Sequence, residues 1–115
     1  MYNILVCDDD KEIVKAIDIY LTKEGYNVLK AYDGLECINV FKENEVHLVI
    51  LDIMMPNQDG IETLKILREL SSIPVIMLSA KSEDEDKIIG LNLGADDYVT
   101  KPFNPLELIA RVNSG

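Results

Sequence analysis

Polar side chains that bind cations and phosphate follow several apolar runs of the sequence. They are Asp8, Asp9 and Asp10, then Asp52, Ser79 and Lys101. Carboxylate oxygens are the ligands that Mg²⁺ prefers, and an ammonium group or a hydroxyl can hold phosphate oxygens. Closely grouped carboxylates also raise one another's pKa values unless a cation lies among them. These residues together therefore predict a Mg²⁺ site that binds a phosphate group.

Asp52 is the residue of this set that could act as a nucleophile. It is followed by an apolar loop from Ile53 to Pro56, in which a lone carboxylate has little structural purpose. If one Mg²⁺ and Lys101 lie beside three carboxylates, the formal charges cancel and an added phosphoryl group becomes tolerable. An oxygen of Asp52 could then attack phosphorus in line, while Mg²⁺, Lys101 and the Ser79 hydroxyl hold the other oxygens. The product would be an acyl phosphate.

Each of these residues has a simpler interpretation when taken alone. Aspartates after a strand commonly cap the next helix, and we expect Asp10 to do so. Ser79 could bond to a nearby backbone group, and Lys101 could be an ordinary surface lysine. His47, the single histidine, is best interpreted as a partly exposed polar residue with no role as a phosphate carrier. Only their joint occurrence favours function.

Five apolar runs that alternate with helical patterns predict how these residues are positioned. The predicted strands run from Tyr2 to Cys7, Asn27 to Tyr32, His47 to Asp52, Pro74 to Ser79 and Asp97 to Thr100. Runs without polar alternation indicate strands buried on both faces. Strands that alternate with helices predict a parallel sheet covered by helices, in which ligands bind at the carboxyl ends of the strands. The candidate chemical groups all lie at that edge.

Helix ends and composition agree with a single α/β domain. Asn104 and Ser82 are predicted helix caps, and Gly25 and Gly94 fit helix ends. With 115 residues the chain suits one domain, and its net charge of -10 disfavours nucleic-acid binding. No apolar stretch is long enough to span a membrane and no secretory signal is evident, so we expect a cytoplasmic location. The two cysteines are predicted to be buried reduced thiols.

Four motifs in order resemble receiver domains of bacterial two-component response regulators. They are residues 4–10 (ILVCDDD), 51–60 (LDIMMPNQDG), 74–80 (PVIMLSA) and 94–103 (GADDYVTKPF). The likeness extends over the whole chain, so residues 1–115 are expected to form one receiver domain. It implies a flavodoxin-like (βα)5 fold with a parallel sheet of order 2-1-3-4-5. It also implies a signalling switch, with self-phosphotransfer and autodephosphorylation as its only catalysis.

The resemblance assigns roles to individual residues. Asp52 would accept a phosphoryl group from a sensor histidine kinase. Mg²⁺, replaceable by Mn²⁺, would be bound by Asp9, Asp52 and the backbone carbonyl of Met54, with Asp8 assisting through water. Ser79 and Lys101 would contact the phosphoryl group, and Tyr98 would switch between exposed and buried positions. The Lys101-Pro102 peptide bond is expected to be cis.

The segment 96–108 further resembles the OmpR/PhoB subfamily, including regulators of the glycopeptide-resistance type. Such receivers dimerise through the fourth helix, fifth strand and fifth helix when phosphorylated. The resemblance implies that Lys87 pairs with Glu107, and Asp97 with Arg111, between protomers. It also implies a winged-helix DNA-binding domain beyond this chain, so that DNA is bound only through that domain.

Three other kinds of protein fit the sequence less well. A Mg²⁺-dependent phosphatase with an aspartyl intermediate would carry a second acid two residues after the nucleophile, where this chain has Met54. An interaction module that had lost phosphorylation would be expected to lack Asp52, Lys101 or the acidic pair. A flavin-binding module needs an uncharged phosphate-binding loop where this chain has three aspartates.

Overall fold

A five-stranded sheet forms the centre of the computed structural model, which describes residues 2–55, 59–80 and 94–114. The strands are β1 (Asn3–Cys7), β2 (Asn27–Ala31), β3 (Leu48–Asp52), β4 (Val75–Ala80) and β5 (Asp97–Lys101). All neighbouring strands are parallel, in the order β2-β1-β3-β4-β5. The expected sheet order is therefore confirmed, and each strand begins and ends within one residue of its predicted bounds.

Four helices pack against this sheet within the described residues. They are α1 (Lys11–Lys23), α2 (Gly34–Glu43), α3 (Gly60–Leu70) and a C-terminal helix (Pro105–Ser114). The helix predicted after Ser82 lies outside the described residues, as does Lys87. Among the residues described, no helix has both the length and the apolar character needed to cross a membrane.

The three central strands, β1, β3 and β4, are buried on both faces, as their unbroken apolar runs predicted. On β1, Leu5 and Cys7 face one apolar cluster, which also contains buried residues of α2 and α3. Ile4 and Val6 face the opposite cluster, which contains buried residues of α1 and the C-terminal helix. Because neighbouring residues of a strand point to opposite faces, a central strand between two helical layers is apolar along nearly its whole length. The helices thus leave the strand ends as the accessible part of the sheet.

The predicted helix ends are confirmed where the structure describes them. The Asp10 side chain accepts the backbone N–H of Glu12 at 3.0 Å, and the Asn104 side chain accepts that of Leu106 at 2.9 Å. After α1 the backbone turns through Gly25, whose φ of 90° is a conformation that only glycine adopts without strain. The Lys101-Pro102 peptide bond is cis, as expected.

Both cysteines are fully buried and free, which confirms the prediction for them. Burial and a hydrogen bond with Cys37 raise the pKa of the Cys7 thiol well above its usual range. The structure adds a contact between the two sulfur atoms that the sequence did not predict.

Candidate acidic site at the carboxyl edge of the sheet

Three carboxylates meet at the carboxyl edge of the sheet, and we call them the acidic cluster. Asp8 directly follows β1, and Asp52 is the last residue of β3. Since Cys7 of β1 is in register with Leu51 of β3, the two strands deliver these side chains to the same place. Ligand oxygens of Asp8, Asp9 and Asp52 all lie within 4.8 Å of one another. One cation could therefore contact all three.

The members of the cluster differ in exposure. Asp8 is 0% exposed and Asp52 is 3% exposed, whereas Asp9 is open to solvent. Asp8 is fixed through its backbone N–H, which donates to the carbonyl of Ala31 at 3.2 Å, and through its Oδ1, which accepts the N–H of Asp10 at 2.9 Å. The cluster thus has a buried side, formed by Asp8 and Asp52, and an exposed side, formed by Asp9.

Lys101 supplies the positive charge of the site. It ends β5, and its Nζ lies 2.8 Å from Oδ2 of Asp8 and 3.1 Å from Oδ1 of Asp52. The two buried carboxylates are thereby joined through one ammonium group. The lysine is not the surface residue that its simpler interpretation suggested.

The site contains three carboxylates and one ammonium group, so negative charge is in excess and the pKa values of its buried carboxylates are raised. Burial and the charge of Asp8 raise the pKa of Asp52 to about 7, against the opposing effect of Lys101. Burial also raises the pKa of Asp8. For Lys101, burial acts to lower the pKa, but hydrogen bonding and charge from Asp8 and Asp52 raise it overall. A further positive charge would relieve this imbalance.

The acidic cluster has the chemistry of a Mg²⁺ site. Hard divalent cations bind carboxylate oxygens, and Mg²⁺ typically uses one or two carboxylates while keeping several waters. The cluster offers three carboxylates, two of them buried with raised pKa values and one facing solvent. These residues therefore fit the ion that the sequence predicted.

Gly60 supports the backbone that carries Asp52, and sequence reasoning did not identify it. A Cβ atom at this position would lie 2.9 Å from the backbone carbon of Asp52 and 2.6 Å from the Cα of Ile53. The backbone N–H of Gly60 also donates to the carbonyl of Ile53 at 2.7 Å. Any side chain here would displace the end of β3. The Asp59-Gly60 pair before a helix is the signal in the sequence that could have indicated this close approach.

Ser79 lies on β4, which pairs with β3, and Tyr98 lies on β5, the next strand of the sheet. Ser79 is 2% exposed and comes one residue after Leu78, which is in register with Asp52. Its strand position therefore places it at the edge that carries the acidic cluster. Tyr98 is 7% exposed and belongs to the apolar cluster below that edge, so its ring occupies the buried position.

The remaining predicted residues are not carboxylates of the acidic cluster, and Lys87 is outside the described residues. Met54 is in the loop after β3, with its side chain 60% exposed. Arg111 contacts Asp97 of the same chain at 2.5 Å and lies 3.6 Å from Glu107. The expected pairing of Asp97 with Arg111 between protomers therefore has a competing arrangement within one chain.

Comparisons with known proteins agree on one family. A family model described as "Response regulator receiver domain" matches residues 4–113. The chain is 50% identical over 110 residues to the "Uncharacterized transcriptional regulatory protein YcbL" of Bacillus subtilis (strain 168), covering 96% of this chain and 49% of that protein. It is 50% identical over 111 residues to "Regulatory protein VanRc" of Enterococcus gallinarum, covering 96% and 48%. The chain thus spans about half the length of these curated relatives.

Solved structures give the same result for the fold. The receiver domain of the Francisella response regulator 1452 superimposes with a TM-score of 0.92 at 44% identity, covering 99% of this chain and 95% of that one. The receiver domain of the TMAO respiratory system response regulator TorR gives 0.93 at 34% identity, covering 99% and 95%. The likeness thus extends over nearly the full length of both chains in each pair.

Proposed function

The chain belongs to the response regulator receiver domain family, and on that basis we propose that it is a switch in which Asp52 accepts a phosphoryl group from a cognate sensor histidine kinase. One observation carries the proposal: Asp52 is buried within the acidic cluster and in contact with Lys101. A carboxylate in this position has a nearby cation partner and a place for a metal ion. Both would counter the charge of an incoming phosphoryl group.

The residues of the site can carry the transfer by elementary chemistry. An oxygen of the Asp52 carboxylate attacks phosphorus, the bond from phosphorus to the donor nitrogen breaks, and the donor imidazole keeps that electron pair. The product is an acyl phosphate on Asp52. The Lys101 ammonium, 3.1 Å from Oδ1 of Asp52, is close enough to contact an oxygen of the new group. The Ser79 hydroxyl would hold another.

Mg²⁺ would be held by Asp9, Asp52 and the backbone carbonyl of Met54, with Asp8 assisting through water. When bound, it supplies the positive charge that the phosphoryl oxygens need in the transition state. Mn²⁺ has similar oxygen preferences and should substitute. The protein's own part is to hold Asp52 beside a cation, since the ammonium group of Lys101 lies 3.1 Å from its Oδ1 and acts to lower its pKa.

Ser79 and Tyr98 would transmit the phosphorylation state of Asp52 to the rest of the domain. If the Ser79 hydroxyl moves toward the phosphoryl group, the buried position of the Tyr98 ring becomes favoured, which gives the domain two states. The ring is already buried at 7% exposure. We therefore expect phosphorylation to increase the population of this arrangement.

The output would be control of transcription by a longer protein. The chain covers about half of two relatives whose names call them regulatory proteins. The rest of the protein is proposed to be a winged-helix DNA-binding domain of the OmpR/PhoB type, with residues 1–115 as its receiver. Phosphorylated receivers would dimerise through the fourth helix, fifth strand and fifth helix. A net charge of -10 disfavours DNA binding by the receiver itself.

A phosphatase that turns over external substrates is the alternative with the same nucleophile. Such an enzyme needs an acid to protonate its leaving group, and the position two residues after Asp52 is Met54, whose exposed side chain cannot donate a proton. Catalysis would then be limited to the domain's own phosphorylation and dephosphorylation.

Intact mass after incubation with acetyl phosphate tests the proposal. We expect wild-type protein to gain one phosphoryl group, roughly 80 Da, only when Mg²⁺ is present. The Asp52→Ala variant should gain nothing. EDTA should abolish the gain, and Mn²⁺ should restore it.

Asp10→Asn is the matched control for these measurements. Asp10 belongs to the same run of aspartates, but it caps α1 and is not part of the acidic cluster, and asparagine also caps helices. This variant should be phosphorylated like wild type. No gain in any sample would refute the switch, and a gain in Asp52→Ala would mean that another residue is the acceptor.

A further inference from the structure

The two cysteines form a second chemical site, separate from the acidic cluster. Cys7 is the last residue of β1, and Cys37 lies in α2. Both are 0% exposed and belong to the apolar cluster between the sheet and α2 and α3. The phosphoryl transfer proposed above uses neither thiol.

Their sulfur atoms are unusually close. The Cys7 thiol donates a hydrogen bond to the sulfur of Cys37 with 2.7 Å between the sulfurs. A disulfide bond is about 2.05 Å long, so the sulfurs are within about 0.7 Å of bonding distance. The two sulfur atoms are therefore close enough in the folded protein for one to react with the other.

The fold, not the local sequence, imposes this approach. The cysteines are 30 positions apart in the chain. Cys7 is held in register with Ala31 of β2 and Leu51 of β3, so its strand has neighbours on both sides. α2 packs its buried face, which includes Cys37 and Ile38, against this sheet. Two rigid elements therefore keep the thiols together in the folded state.

We propose that Cys7 and Cys37 are an oxidation site, at which hydrogen peroxide converts the buried thiol pair to an intramolecular disulfide in the folded protein. One sulfur attacks a peroxide oxygen, the O–O bond breaks, and the products are a sulfenic acid and one water. The other sulfur attacks the sulfenic sulfur, whose S–O bond breaks, and the hydroxyl leaves with the second thiol proton as water. Two electrons and two protons pass from the cysteines to peroxide.

Oxidation would stabilise the domain. The disulfide would join the end of β1 to α2 and close the chain segment between residues 7 and 37. Closing a loop of this length restricts the unfolded chain, and we expect the thermal midpoint to rise on the order of 10 °C. Because both thiols are buried, the reaction should be slow and should require local opening.

Peroxide treatment of the folded domain, followed by intact mass and peptide mapping, tests the site. Apart from the oxygen atoms that its methionines gain, we expect wild type to lose roughly 2 Da, to yield one cross-linked peptide pair containing Cys7 and Cys37, and to lose that cross-link with dithiothreitol. The thermal midpoint, measured without reductant, should rise with the same time course. Cys7→Ala and Cys37→Ala should show neither the loss of mass nor the rise.

Met54 provides an internal control, because its side chain is 60% exposed and should form the sulfoxide readily. If Met54 is fully oxidised while both thiols stay reduced on prolonged incubation, the proposal is wrong. A gain of oxygen on either cysteine of wild type without the cross-link would equally overturn it. These readouts do not involve phosphorylation, so the oxidation site and the phosphoacceptor stand or fall separately.

Discussion

The ammonium nitrogen of Lys101 lies 3.1 Å from Oδ1 of Asp52, yet the pKa of Asp52 is raised to about 7. The lysine is shared with Asp8, whose Oδ2 lies closer, at 2.8 Å. Burial and the charge of Asp8 therefore outweigh the attraction of a single shared cation. In the metal-free protein, the Asp52 carboxyl group therefore ionises near neutral pH.

This raised pKa predicts a pH-dependent stability for the metal-free domain. The folded pKa of about 7 exceeds the ordinary value of 3.8, so the stability that Asp52 contributes is fully present below pH 3.8 and is lost as the pH rises through about 7. The free energy of unfolding of wild type should fall relative to Asp52→Asn by at most about 4 kcal/mol over this range. Urea denaturation in EDTA at several pH values measures the difference.

Added Mg²⁺ should remove most of that difference, because it binds the ionised cluster of the folded state. Using Asp52→Asn as the reference cancels the titration of the carboxyl groups that are remote from Asp52. If the gap between the two proteins does not change with pH, Asp52 ionises normally and the acidic cluster carries no charge imbalance.

Gly60→Ala should impair phosphorylation and stability together. The new Cβ would overlap the backbone at Asp52 and Ile53, and the strand end would have to move. We expect a loss of about 1 to 3 kcal/mol in the free energy of unfolding. The initial rate of phosphorylation by acetyl phosphate should fall about 100-fold, since small misplacement of a nucleophile is costly.

Gly25→Ala is the matched control for Gly60→Ala. Gly25 has a φ of 90°, but a Cβ added there would have no neighbouring atom within 4 Å, so alanine strains only the backbone, by about 1 to 2 kcal/mol. Its phosphorylation rate should stay at the wild-type value. Equal rates for the two variants would show that Gly60 acts on stability alone.

Arg68→Met should destabilise the domain at the edge opposite the acidic cluster. The Arg68 guanidinium donates to the carbonyls of Ile73 and Gly94 at 2.7 and 2.8 Å, and to the carboxylate of Asp96 at 2.8 Å. Methionine keeps the apolar stem but leaves these acceptors without their donor, which should cost about 1 to 3 kcal/mol in urea denaturation. Lys65→Met, on an exposed position of the same helix, should cost less than about 0.5 kcal/mol. Equal losses would refute the role of Arg68.

The sequence was sufficient to predict the sheet and the place of the acidic cluster. Unbroken apolar runs between helical patterns indicate strands covered on both faces, and parallel strands bring their carboxyl ends to one edge. Asp8, Asp52 and Lys101 are each at or next to a strand end, so their meeting follows from the topology. The sheet order itself came from the family resemblance, because periodicity does not order strands.

Contacts between side chains that are far apart along the chain could not be predicted from the sequence. The sulfur contact of Cys7 and Cys37 depends on how α2 is rotated against the sheet, and the close approach of Gly60 to Asp52 depends on the path of a loop. Neither leaves a periodic signal in the chain. The same is true of Arg68, whose acceptors lie on two other segments.

Charge reversals at Asp97 and Arg111 distinguish an ion pair within one chain from ion pairs between protomers. In the single chain Arg111 contacts Asp97 at 2.5 Å, and both side chains remain partly exposed. A partner's residues could therefore replace the internal contact in a phosphorylated dimer. Asp97→Arg alone and Arg111→Asp alone each place like charges together, both within a chain and across the proposed dimer. Each should weaken dimerisation.

Mixing the two single variants separates the possibilities. Within each chain the charges still repel, but a heterodimer gains two attractive pairs, one in each direction across the interface. We expect phosphorylated mixtures to dimerise about tenfold more tightly than either variant alone, as measured by analytical ultracentrifugation. If the mixture stays as weak as its components, Asp97 and Arg111 serve only the single chain, and dimerisation must depend on other residues.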